Sequence, residues 1–286
     1  MAKFATYPQM HYDAEHDVHY DVFGYTEFVD MCMNIPNYKE SGNSSQQTYP
    51  ESDENCWAGT NTYEQAVEYA KHGWDAGLES IKDYVETDAK MINVEHALVG
   101  HAVDVGRFLT GVPDTMISFY DDAYRNKAPL TVYVKLTYMA DIKGEQAMEY
   151  CAKILETISI LNRTFNVKLV GVFTTMHSKV GTDILCINIK ETDEAFVLNS
   201  LAFAFNPAFF RRFWFKWLEG TNFWESGYGR SPEGNFGKGK EAKLLTKIVP
   251  PNEQVLFLED IYDIDKLDPV KVAEQAVAEQ TLRQDR

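Results

Sequence analysis

Three stretches of this 286-residue chain carry side chains whose types and spacing suit chemistry. Between His11 and Asp21, His16 and His19 stand among Asp13, Glu15, Asp17 and Asp21. Imidazole and carboxylate together are zinc-type ligands. The same composition also suits a solvated, extended arm, because no second ligand cluster stands out to complete a metal set. In the second stretch, residues 90–112, His96 and His101 lie five apart with Asp104 and Arg107 nearby. That spacing does not share a helical face well, so a catalytic histidine pair is poorly supported. The third is Thr221–Lys243, rich in glycine, with Trp224, Tyr228 and Phe236 followed by Lys238, Lys240 and Lys243. Aromatics are enriched in binding hot spots, and bases stack on exposed rings. Trp224, Tyr228, Phe236, Lys238 and Lys240 are therefore the candidate binding residues, for a protein with an acidic patch or a single nucleic-acid strand. The alternative is a surface loop whose rings tuck back onto the body. Its Gly-x-Gly pieces lack the strand-to-helix context of a nucleotide loop.

The elements that must position these groups centre on residues 130–173. Leu130–Tyr138 reads as a strand and Val167–Phe173 as a nearly continuous apolar second strand, the pattern of a strand covered on both faces. Between them, Ala147, Met148, Cys151, Ile154, Leu155, Ile158 and Leu161 recur at three- and four-residue steps. The spacing predicts a helix over 143–165, with Asp141 as its N-cap and Asn166 in the left-handed turn that ends it. Strand, helix and strand make a right-handed crossover, which demands a parallel pair. Asp183–Ile189 reads as a third strand, followed by a helix from Glu191 to Phe205. Asn206–Pro207 opens a further helix, with Phe209, Phe210, Phe213, Trp214, Trp217 and Leu218 as one stripe and Arg211, Arg212 and Lys216 facing elsewhere. Leu244–Val249 and Val255–Leu258 read as strands, and Asp268–Pro269 opens a final helix.

The N-terminal half is less regular. Residues 1–24 read as a polar, aromatic arm and Tyr25–Asn34 as a short helix. Asn37–Asn55 is a loop. A helix starts near Asn61 or Thr62 and stops at Gly73, a glycine suited to a helix C-terminus. A second helix is expected from Ala76, and Met116–Tyr120 has strand character. The division expected is an N-terminal helical module with polar arm and loop over 1–120, then an α/β domain over 121–286 with a mainly parallel sheet flanked by helices.

Net charge is −16, which repels nucleic-acid phosphate and disfavours broad contact with it outside the 221–243 loop. Cys32, Cys56, Cys151 and Cys186 form no close pair, and the spacing fits free thiols in a reducing cytoplasm. The first residues hold no apolar signal-peptide core, and no apolar run approaches a bilayer span. No membrane partner and no cofactor are expected.

Two resemblances enter on these motifs. Trp57-Ala-Gly-Thr, the Tyr-Glu-Gln-Ala run and Gly73-Trp74 with Gly77 resemble a signature of uncharacterised tailed-phage proteins. Val105-Gly-Arg-Phe-Leu-Thr-Gly-Val-Pro-Asp-Thr-Met116 is similar to a second block of that family. The order strand, long helix, strand, strand resembles a von Willebrand factor A-type domain. In that family the first strand ends in Asp-x-Ser-x-Ser, which binds a divalent metal. The matching positions here are Lys135, Thr137 and Met139. An ammonium has no lone pair for a cation and a thioether is a poor magnesium ligand, so no metal is expected there.

The resemblances imply a non-enzymatic phage accessory protein that binds a phage or host protein in the host cytoplasm. The alternatives are a virion or assembly component, expected to be oligomeric and located in the virion, and a metal-dependent enzyme using the N-terminal histidines and carboxylates. No catalytic residue is assigned: the chain holds no nucleophile elbow, phosphate loop or locally recognisable triad.

Overall fold

The computed structural model describes residues 11–13, 18–35, 44–50, 58–77, 93–97, 102–103, 116–120, 127–137, 144–162, 164–177, 181–192, 198–220, 253–258 and 267–284, with single positions at 79, 109, 142 and 249. In chain order the strands are β1 (His11–Asp13), β2 (Val18–Gly24), β3 (Asn93–Ala97), β4 (Ala102–Val103), β5 (Met116–Tyr120), β6 (Ala128–Lys135), β7 (Phe165–His177), β8 (Gly181–Lys190) and β9 (Val255–Phe257). The helices are α1 (Tyr25–Asn34), α2 (Tyr63–His72), α3 (Gly144–Asn162), α4 (Leu198–Phe205), α5 (Phe215–Gly220) and α6 (Pro269–Gln284). A π-helical segment, Phe209–Trp214, runs directly into α5.

The protein is α/β. Among the described residues its main sheet has six strands, in the order β1-β2-β8-β7-β6-β9. β6 is parallel to β7, with Leu130 opposite Val167, and the helix between them is α3. β9 is parallel to β6. β8 returns antiparallel beside β7, β2 is parallel to β8, and β1 is antiparallel to β2. Parallel pairing predominates, as the apolar runs predict.

Strand alternation splits the apolar residues between two faces. One face carries Val132, Val134, Leu169, Phe173, Leu185 and Ile187 and packs against α3, α1 and the π-helical segment. The other carries Val170, Val172, Ile184 and Cys186, with Tyr20, Tyr133 and Phe257 against them. Gly171 allows close packing: a Cβ there would lie 2.5 Å from Leu136 Cδ1.

Four expectations change. Val18–Gly24, read as part of a polar arm, is a strand inside the main sheet, paired from Val18–Thr182 to Gly24–Asn188. Its polar residues masked the signal, although Phe23 is buried. Asn166 does not end the helix. α3 stops at Asn162, and Asn166 stands inside β7 opposite Pro129. Residues 93–120, assigned to a helical module, contribute a three-stranded antiparallel sheet, β3-β5-β4. Finally, Glu191 and Thr192 are not helical, and the helix before Asn206 is described from Leu198.

Three other helix-end signals hold, at Thr62, Gly73 and Asn206. The Thr62 hydroxyl accepts the Gln65 N–H at 3.1 Å at the start of α2, and Gly73 closes that helix at a φ of 97°. Asn206 Oδ1 accepts the Ala208 N–H at 2.8 Å before the π-helical segment. The Asp141, 244–248 and Leu218 assignments lie outside the described residues or side chains, as does most of the helix expected after Ala76.

Candidate functional site

The end of the sheet where β6, β7 and β9 finish is the place an α/β fold most often uses, because ligands there meet strand termini and the loops beyond them. β6 continues past Lys135 as Leu136 and Thr137. The Leu136 N–H donates to the Val172 carbonyl at 2.9 Å, which extends the ladder by one step. Thr137 is fully buried, and its Oγ1 accepts the Thr174 N–H at 2.9 Å. The hydroxyl thus substitutes for a backbone carbonyl at the strand end. Lys135 sits half-buried two residues earlier. Met139 lies outside the described residues. The two described positions of the strand-end motif therefore offer an ammonium and a hydroxyl engaged with the backbone. They do not fit a hard divalent cation, which takes anionic and neutral oxygens.

A second constellation surrounds the π-helical segment. Phe173 stacks on Phe210 with ring centroids 5.9 Å apart and on Trp214 at 5.8 Å. Phe209 stacks on Tyr25 at 5.3 Å. Within this aromatic body lie three cations. Arg211, Arg212 and Lys216 were expected off the aromatic stripe; instead all three are buried. The correction has a geometric reason. Phe209, Phe210, Phe213, Trp214 and Trp217 spread around most of a short helix, and a helix apolar all round is a buried one. The π-helical register spreads them further.

Each cation meets backbone or ring. Arg211 donates to the Ile142 carbonyl at 2.9 Å. The Arg212 guanidinium donates to the Ser45 carbonyl at 2.9 Å and to those of Gln47 and Thr60. It also lies over the Tyr49 ring at 5.4 Å. Lys216 Nζ sits 4.1 Å from the Tyr63 ring centroid. The planar fork of Arg212 ties two loops, 44–50 and 58–62, to one helix, as a compact ammonium could not. Gly59 makes the second loop fit: its φ is 75°, and a Cβ there would lie 2.5 Å from the Ala208 nitrogen and from Asn206 Oδ1.

The thiols here are structural. Cys32 Sγ donates to the Phe213 carbonyl at 3.4 Å. Burial pushes the Cys32 thiol well up, only partly opposed by nearby Lys216. Burial likewise raises Cys151, and it pushes Cys186 up to about 12. Such thiols are poor nucleophiles, since the thiolate is the reactive form. Burial also holds the Tyr63 and Tyr133 phenols above their ordinary range.

The residues singled out from the sequence fare differently. Trp224, Tyr228, Phe236, Lys238 and Lys240 all lie outside the described residues, as do His16, His101, Asp104 and Arg107. His19 is in β2 and His96 in β3, opposite Ile117. Among the described residues, no three His, Cys, Asp or Glu side chains converge as a metal site. No described helix is long and apolar enough to cross a membrane.

Comparison with known proteins gives one match. The family model "Domain of unknown function (DUF7192)" spans residues 12–284, and the chain belongs to that family. No curated protein and no solved structure matches it.

Proposed function

We propose that this protein is a non-enzymatic accessory protein of a tailed phage. It acts in the host cytoplasm by binding a phage or host protein through a metal-free von Willebrand factor A-like domain. Support for that domain type comes from the order β6, α3, β7, β8, with β6 inside the sheet and β8 turned back beside β7. The observation that carries the reading is Thr137. Its hydroxyl closes the β6–β7 ladder through the Thr174 N–H, beside an ammonium at Lys135. A scaffold of that family rebuilt this way keeps its frame and gives up cation-mediated contact, which leaves recognition by side-chain surface. The 221–243 loop supplies the contact residues in this reading, with Trp224, Tyr228 and Phe236 as anchors and Lys238 and Lys240 facing an acidic patch.

The test is capture from phage-infected cells with tagged full-length protein, beside a Trp224→Ala/Tyr228→Ala double variant. The expected result is an unchanged melting temperature and at least a tenfold loss of one specific partner. Undiminished capture, or a double variant that unfolds, overturns the assignment of this loop. Sedimentation of the pure protein checks the assembly alternative: a large closed oligomer would favour a virion component.

A further inference from the structure

We draw no further inference here: the strongest candidate, the face of the main sheet on which the partly buried rings of Tyr20, Tyr133 and Phe257 pack against Val172, Ile184 and Cys186, carries nothing because nothing in the structure shows what covers it.

Discussion

Replacing Arg212 by Met keeps most of the side-chain volume but removes the donors to the Ser45, Gln47 and Thr60 carbonyls. Loss of charged donors to buried acceptors costs about 3 kcal/mol or more. Arg212→Met should therefore lower the urea midpoint strongly, with Arg212→Lys intermediate because one ammonium cannot span three carbonyls. A change under about 0.5 kcal/mol, the level of an ordinary surface substitution, would show that the loops are not tied by this residue. The thiols make a second test. Cys32, Cys151 and Cys186 are buried and held above the ordinary thiol range by burial. At pH 8 the native protein should alkylate at no more than one thiol, Cys56, and the unfolded protein at all four. Their linkage has a definite sign. A raised folded pKa leaves stability intact below the unfolded thiol value of about 8.5 and erodes it as pH rises through the folded value, which for Cys186 is about 12. Fast labelling of Cys32 in the native state would contradict the packing around Phe213.

At the scale of elements, α6 begins with a local device. The Lys271 N–H donates to Asp268 Oδ1 at 3.2 Å, and Lys271 Nζ lies 3.0 Å from Asp268 Oδ2. The Lys271 side-chain hydrogen bond, first, and its backbone hydrogen bond hold the Asp268 carboxyl below its ordinary value. A depressed folded pKa contributes stability that is present above the unfolded carboxylate pKa of about 3.9 and is lost as pH falls through the depressed value. Asp268→Asn should flatten the acid side of an α6 fraying profile measured by hydrogen exchange. An unaltered profile would remove the device. The elements also show what the sequence states and what it hides. The β6–α3–β7 unit was legible because its apolar positions follow two clean periods, and β9 because Val-Leu-Phe follows a turn. β2 was not, because Val18-His-Tyr-Asp-Val-Phe-Gly24 offers one buried ring among polar neighbours. The direction of β8 was hidden by the end of β7, where the expected strand stops at Phe173 while the ladder runs on through Thr174 and Thr175. The candidate site divides in the same way. The failure of Lys135 to suit a cation is visible in residue type, whereas the hold of Arg212 on the Ser45 and Thr60 carbonyls exists only once distant parts of the chain pack together.

At the scale of the whole molecule, the rebuilt end of β6 predicts indifference to magnesium. A cation that binds only the folded state raises its melting temperature by mass action. Millimolar magnesium should leave the melting temperature within a degree of the value at matched ionic strength. A rise of several degrees, abolished by Thr137→Ala, would restore a metal site at β6. The matched control matters because a chain of net charge −16 is relieved of self-repulsion by any salt. The position of β2 has a further effect, on the timing of folding. Val18–Gly24 leaves the ribosome well before its partner strand, which is not complete until Lys190 has been made. At about 5–20 residues per second, synthesis keeps the strand waiting for many seconds. The β6–α3–β7–β8 part of the sheet is contiguous in the chain and can form first, with the N-terminal strand docking onto its completed edge. Between completion of β8 and the docking of β2 the chain carries an unmatched strand and an unmatched sheet edge at once, and that edge can take up β2 of a neighbouring chain on the polysome.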